Sequence, residues 1–533
     1  MQNSVFRLLI FLMTLTFFFN CARRGTPTGG DKDTIPPVLI KAIPSVETIN
    51  FKDDKIKIFF DEYIKLKDVK QQLVISPPPK NPPIIGPMGT ASKYVSIKIL
   101  DTLKPNTTYL YSFGKSIVDN NEENVLPNFK YVFSTGTYID SLKLAGEISE
   151  LKVTKPVKNI DILLYEYNTT YTDSIIFKEK PNYVANTIDS TLFEFTNLKA
   201  GKYLMIALKD ANFNKIYNPE IDKIGFVLDT IIIPTEKKYN FPLFKEIPKL
   251  KFISPKEVNK GHLFFGFEGK ATDVSIKLLT ETTPDFKSVV NIEEGKDTLN
   301  YWFTPFEVDS LNFSVSSGNY QENFTVKLRS TKLDTLNIKN TTGGILHLND
   351  TLTIKSVTPI LTLDPSLFQL IEKDSISVPF KAILAPTKNK ISIDFEKKHN
   401  TDYILKLLPK AVLDIFENSN DSIQYKIKTK NPEDYGIISI AIESSKKNAF
   451  IVELLTDKNV VVRKEAVKEP KIISFQFLDS GNYLVRVTID DNGNGIWDTG
   501  NFLEKRQPET IKYFDKTIEL RANWDINEVF NLD

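Results

Sequence analysis

The feature that most constrains this chain is a pattern of short alternating runs. Apolar and polar residues take turns over a few positions, then Asn, Asp, Gly or Pro breaks the run. Ile56-Lys57-Ile58-Phe59-Phe60, Val95-Ser96-Ile97-Lys98-Ile99 and Ile391-Ser392-Ile393-Asp394-Phe395 are examples, and Tyr483-Leu484-Val485-Arg486-Val487-Thr488-Ile489 is the clearest. A strand sends successive side chains to opposite faces, so period-two alternation marks strands with one buried face. Helical periodicity is nearly absent; Pro365 to Lys373 and the last ten residues each suit a helical turn or two. Many short strands separated by turn residues predict an all-β chain of tandem β-sandwiches. At 533 residues it has room for roughly three to five domains.

Composition narrows the function. Lys plus Arg is 68 and Asp plus Glu is 67, a formal net charge of +1. No basic excess is present to hold a nucleic acid backbone, so nucleic acid is not expected as a partner. One cysteine excludes an internal disulfide framework and a cysteine zinc site. His262, His347 and His399 are the only histidines, lie far apart, and have no adjacent acidic or cysteine motif. Neither G-x-S-x-G nor H-E-x-x-H occurs. Gly266-Phe267-Glu268-Gly269-Lys270-Ala271 has the wrong spacing for a phosphate loop and sits between strands. The expectation is therefore a protein that is not an enzyme.

The single cysteine is informative by its position. Arg7 precedes an apolar run from Leu8 to Phe19 that only Thr14 and Thr16 interrupt, and Cys21 follows directly. The run is short of the about 20 residues a membrane-spanning helix needs, and reads as a secretory signal over residues 1–20. Phe18-Phe19-Asn20-Cys21 resembles a lipobox. That resemblance implies cleavage before Cys21, acylation of its thiol, and a membrane partner reached through the acyl chains. Residues 21–35, rich in Gly, Thr, Pro and charge, read as a flexible tether. Arg23-Arg24 stand where surface-exported lipoproteins of this type carry acids, which places the expected site at the periplasmic face of the outer membrane.

Internal similarity organises the rest. Gly201-Lys202-Tyr203-Leu204 and Asp210-Ala211-Asn212-Phe213-Asn214 match Gly481-Asn482-Tyr483-Leu484 and Asp490-Asp491-Asn492-Gly493-Asn494 at a constant offset of 280. Asn106-Thr107-Thr108-Tyr109, Tyr131 and Thr135 match Asn400-Thr401-Asp402-Tyr403, Tyr425 and Thr429 at an offset of 294. Asp119 matches Asp414 with a one-residue slip. These offsets predict domains at 36–138 and 139–247, a further β-domain at 248–349, then repeats of the first two at 350–431 and 432–533.

The first of these domains resembles the bacterial (SbsA-type) Ig-like domain. Pro36-Pro37, Lys55–Phe60 into Asp61-Glu62, Val74-Ile75-Ser76-Pro77-Pro78, Leu103 to Tyr109, Ile117-Val118-Asp119 and Tyr131 to Gly136 carry the resemblance. The segment 139–247, with Gly146-Glu147-Ile148 and Leu198 to Tyr203, is similar to transthyretin-like or collagen-binding-B-type sandwiches. The layout resembles lipoproteins of the Bacteroidetes type, which implies a structural, adhesion or protein-interaction role with an envelope protein or glycan.

Two candidate sites remain. Asp490-Asp491-Asn492-Gly493-Asn494-Gly495 fits D-x-[DN]-x-[DN]-G, the start of a calcium loop. Asp490, Asn492, Asn494, the Ile496 carbonyl and Asp498 would then hold a structural Ca2+; the same residues also suit an Asn-Gly hairpin turn. Tyr301-Trp302-Phe303, with Tyr165, Tyr167 and Tyr171, could stack on sugars, although alternating aromatics on a strand are more often core or cross-strand pairs. The rival reading is thus an envelope glycan-binding protein or hydrolase that uses the middle domain.

Overall fold

The computed structural model describes residues 32–151, 157–271, 273–292, 296–372, 376–446 and 448–533. Among these, helix is limited to the single turn Val69–Gln72 and short 3-10 turns, and the chain is an all-β protein of tandem sandwiches. It divides into two compact units, Met1–Ile139 and Asp140–Asp533. Five hydrophobic cores are described: one in the first unit and four in the second.

The first unit follows from its alternation. In the strand Lys55–Leu66, Ile56, Ile58 and Phe60 are buried while Lys55 and Lys57 are exposed. This strand lies between Leu39–Ile43 and Ser92–Lys98, with Ile84–Gly86 at the far edge and Ile117–Asp119 paired to its second half. Val74–Ser76, Thr108–Ser112 and Lys130–Ser134 make the opposing sheet. Its aromatic residues fill the space between the sheets. Phe133 stacks on Phe51 with ring centroids 3.9 Å apart and on Tyr109 at 5.2 Å.

In the second unit, the sandwich with its core between Leu144 and Leu243 has a three-stranded and a five-stranded sheet. Leu142–Glu150 is central in the smaller sheet, antiparallel to Leu192–Leu198 and parallel to Tyr239–Leu243. The larger sheet runs Tyr183–Asn186, Asp161–Glu166, Gly201–Lys209, Lys223–Phe226, with Ile231–Ile233 also on Gly201–Lys209. The last sandwich has the same order and the same directions. Gly436–Glu443 lies between Ile472–Leu478 and a parallel Asp525–Asn531. Its larger sheet runs Val461–Val467, Ala449–Thr456, Gly481–Asp490, Ile511–Tyr513, with Ile518–Leu520 on Gly481–Asp490. Tyr203 and Tyr483 hold the same place, each donating its hydroxyl to a carbonyl of the preceding turn, Lys199 and Asp479.

The sandwich before it has its core between Ile338 and Ile427. Ile338 and Leu346 belong to this core, so it begins upstream of residue 350. Its local hydrogen bonds repeat those found inside the first unit. The Lys104 N–H donates to the Tyr109 hydroxyl at 2.8 Å, and Lys398 N–H to Tyr403 at 2.8 Å. The Thr107 N–H donates to the Thr135 hydroxyl at 3.0 Å, and Thr401 N–H to Thr429 at 3.0 Å. Every one of these positions keeps the offset of the sequence repeat.

These hydroxyls serve backbone groups that would otherwise be unpaired at the edge of a core, and an unmade buried hydrogen bond costs about 1 to 3 kcal/mol. Tyr109→Phe and Tyr403→Phe should each lower stability by about that much, additively, since they lie in separate cores. Urea unfolding of the whole chain checks it; a neutral result for either would show that its hydroxyl satisfies nothing.

Candidate functional site

The strand Gly481–Asp490 ends on a carboxylate that organises the loop behind it. Asp490 is buried, and its Oδ1 accepts the N–H groups of Gly493 and Asn494 at 2.8 and 3.1 Å. Its Oδ2 accepts the Gly495 N–H at 2.8 Å. Gly493 and Gly495 take positive φ, 71° and 74°, which lets the backbone wrap the carboxylate without Cβ strain. Asn492 Oδ1 and Asn494 Oδ1 accept the N–H groups of Asn494 and Ile496. Both amides then donate to one atom, Asp498 Oδ2, at 2.6 and 2.7 Å.

A second acid closes the loop from outside. Glu509 accepts the Asp491 N–H on Oε1 at 3.0 Å and the Asp498 N–H on Oε2 at 2.9 Å. Burial pushes the Glu509 carboxyl up against the pull of these two donors, and the nearby Asp490 and Asp498 carboxylates add to the push. Among the described residues no group of three His, Cys, Asp or Glu side chains is placed to hold a metal ion. The calcium donors predicted from sequence lean instead on amides: Asn492 and Asn494 meet at Asp498, while both oxygens of Asp490 accept backbone N–H groups. Both amides carry oxygens of the kind a hard cation takes, but turning them to the centre would give up the Asn494 and Ile496 N–H groups that they accept here.

The earlier copy keeps the frame and changes the centre. Asp222 accepts the Ala211 and Asn218 N–H groups at 2.9 and 2.8 Å, as Glu509 does for Asp491 and Asp498. Asp210 accepts the Asn212 and Lys215 N–H groups. Lys215, at the position of Gly495, swings its ammonium to Asp161 at 2.6 Å and within 3.9 Å of Asp210. Asp161 pairs with Leu208 across the sheet; Thr488 is the counterpart of Leu208 in the later copy, and Ile451 pairs with it. Lysine and aspartate in one copy are therefore glycine and isoleucine in the other. The earlier loop carries its own cation; the later one has none inside, and Lys464 only touches its rim, donating to the Gly495 carbonyl at 3.1 Å.

Between the loop and its closing acid, the last sandwich carries an insertion. The Ala211 N–H meets its carboxylate 11 residues on, the Asp491 N–H 18 residues on. The extra residues form a small hairpin, with Asn501 paired to Arg506. Phe502 at its tip is fully buried, against Phe226 with ring centroids 5.3 Å apart at 90° and against Phe177 at 6.5 Å. Both partners belong to the other sandwich of this type. The Phe502 N–H donates to Glu246, the Thr499 hydroxyl to the Lys245 carbonyl at 2.7 Å, and Gln507 to the Phe226 carbonyl at 2.9 Å. Lys505 pairs with Asp173 at 2.6 Å and lies over the Phe502 ring. A Cβ on Gly500 would stand 2.5 Å from the Phe244 ring, so only glycine fits there. The hairpin is a plug that fixes the fifth sandwich onto the second.

The remaining candidates stand as follows. Cys21 lies outside the described residues. Tyr301, Trp302 and Phe303 are all buried, which agrees with the core reading of these aromatics and leaves no ring of the three open to a sugar. Tyr301 and Phe303 face the core, and Trp302 is covered by Phe416 of the following sandwich, 6.2 Å away. His262 is stacked on Trp302 at 3.5 Å, with Asp334 on Nδ1 at 3.1 Å and Asn300 on Nε2 at 3.0 Å, so both ring nitrogens are already engaged. Tyr165 is buried, while Tyr167 and Tyr171 remain a pair 4.5 Å apart at the surface.

Residues 33–135 match the family model described as bacterial Ig-like domain. No curated protein matches the chain. Similar solved structures include domains 1–6 of the surface-layer protein SbsC, at 10% identity over 92% of this chain and 68% of that one, TM-score 0.16. They also include BcpA, the major pilin subunit of Bacillus cereus, at 11% identity over 73% and 99%, TM-score 0.14. A three-domain fragment of titin matches at 9% identity over 52% and 97%, TM-score 0.14.

Glu246 gives the plug a pH dependence of known sign. Burial pushes its carboxyl above the ordinary value of 4.5, against the N–H it accepts from Phe502. The folded chain thus binds a proton that the unfolded chain releases just above 4.5, and this contribution to stability falls as pH rises toward the folded value. Glu246→Gln keeps an acceptor without the charge and should unfold later than wild type at neutral pH, with the two converging in acid. Urea midpoints across that range test it; parallel curves would show that the carboxylate carries no such penalty.

Proposed function

We propose that the chain is a lipid-anchored envelope protein, a structural or adhesion scaffold rather than an enzyme. Cys21 carries the acyl chains, at the periplasmic face of the outer membrane, and the sandwiches engage an envelope protein or glycan. The observation that carries the scaffold reading is the plug. Burying Phe502 between two sandwiches is worth about 2 to 3 kcal/mol of transfer free energy, before the hydrogen bonds around it. Such a joint holds modules at fixed spacing, as a scaffold requires. The bacterial Ig-like match at 33–135 agrees with that role. The glycan-binding or hydrolase reading of the middle domain loses its main support with the burial of Trp302.

Acylation is the part that fixes location. Cys21→Ser should leave the chain unprocessed or shift it from the membrane to the soluble fraction. Metabolic labelling with a clickable fatty acid should mark wild type and not the variant. Unlabelled wild type that still sediments with membranes would rule out the anchor.

Calcium in the last sandwich is the second part of the proposal. Asp490, Asn492, Asn494, the Ile496 carbonyl and Asp498 would hold it, and its chemistry would be structural only. Two carboxylates imply a dissociation constant on the order of 10⁻⁴–10⁻³ M. The earlier loop, already filled by Lys215, would bind none. Millimolar calcium should raise the melting temperature of the whole chain, and Asp498→Asn should abolish the rise while sparing the Asp490 hydrogen bonds. Equal melting in calcium and in chelator would leave the loop as a hairpin turn.

A further inference from the structure

The outward face of the first unit's larger sheet is unlike an ordinary wet sheet surface. Strand registers align it in three rows. Lys41, Phe59 and Tyr94 form one; Ile43, Lys57 and Ser96 the next; Lys55 and Lys98, with Ile84 beside them, the third. Lys41 lies over the Phe59 ring at 5.4 Å and Lys57 over Tyr94 at 5.2 Å, and the two rings are 5.4 Å apart. Ile43 is 54% exposed and Ile84 60%. No carboxylate stands in these rows. Bordering acids include Asp53 and Asp54, just before Lys55, and Asp61 and Glu62 beyond Phe60; the Asp61 Oδ1 accepts the Val38 N–H at 2.8 Å.

Lysines are a common guard on exposed sheet edges. That explanation fails for three of these four, because Lys55, Lys57 and Lys98 sit on the two inner strands of the sheet. The face is cationic and apolar at once. Anionic headgroups suit the ammonium groups, and interfacial aromatic rings suit the boundary between headgroup and acyl chain. Its position along the chain selects the same partner. Leu39, which opens the first strand, follows Cys21 closely enough that even fully extended chain between them reaches at most roughly 65 Å.

We propose that this face docks on an anionic lipid surface, laying the first unit flat against the membrane that holds Cys21. The orientation it implies rests on the anchor proposed above, but the binding itself does not. The whole chain from residue 22 onward, made without the leader and so without acyl chains, is therefore the right material. It is sedimented with vesicles of phosphatidylcholine alone, and with vesicles in which about 30% of the lipid is phosphatidylglycerol. The expected result is binding to the anionic vesicles only, weakening as salt is raised. Lys41→Gln with Lys57→Gln should lower partitioning roughly 25-fold, at about fivefold per lysine. Lys70→Gln with Lys104→Gln, exposed in the same unit but off the face, should change it little, and circular dichroism should show all variants folded. The proposal is overturned by equal binding to both vesicle types, by no binding, or by equal loss in both variant pairs. It is also overturned if the chain retards on a soluble acidic polysaccharide while ignoring the vesicles. Failure here would leave acylation of Cys21 untouched, because no acyl chain takes part in the measurement.

Discussion

A buried carboxylate at the end of a strand, with the following loop's N–H groups turned onto it, recurs in four of the sandwiches, and much of the remaining order depends on it. Asp119 accepts four backbone N–H groups, from Asn121, Glu122, Glu123 and Asn124. Asp414 accepts those of Phe416 and Asn418, together with the Thr358 hydroxyl. Asp210 and Asp490 do the same in the other sandwich type. Loops that leave a core strand carry backbone donors with no sheet partner, and each such donor left dry is costly. One carboxylate answers several of them with charge-assisted bonds. For Asp119, these donors hold the carboxyl below its ordinary value in spite of burial.

The plug depends on this device. Its hairpin leaves the Asp490 loop at Asp498 and returns at Glu509, and both residues are tied to the loop by hydrogen bonds. Without that frame the insertion would be a free surface loop. With it, Phe502 is presented at a defined height, where Glu246, Phe226 and Gly500's close approach to Phe244 complete the fit. Insertions between repeats are usually tolerated because they lie outside both cores. Here the insertion is the joint between two cores.

Much of the fold was legible because alternation reports burial directly. Ile56, Ile58 and Phe60 are buried where the pattern places them, and so are Tyr483, Val485 and Val487. The pattern was less use where both faces of a strand are covered. Thr298–Phe303 is buried on each side, since Phe416 seals the outward one, and its aromatics look like a binding stripe only when the neighbour is unknown. Ile338–Asn340 has no signature in sequence, because so short a strand offers too little alternation. The carboxylates of the candidate loop were legible from spacing; their hydrogen bonds to backbone were not. The plug leaves a trace in sequence. The offset between copies changes from 280 at Tyr203 and Tyr483 to 287 at Ile231 and Ile518, which pair with them. What the insertion touches is distant in sequence, from Lys245 and Glu246 back to Asp173, and so has no local signature.

The fold-back also decides how tension would travel. In a string of beads, a pull between residue 140 and residue 533 passes through every sandwich in turn. Here the second and fifth sandwiches are pinned together, so the force is shared between two routes, one through the chain and one across the Phe502 contact. The contact is a side-chain insertion, without a ladder of backbone hydrogen bonds to shear. Under such a pull the spacing of the second and fifth sandwiches rests on packing and a few side-chain bonds, while each sheet rests on its backbone ladder.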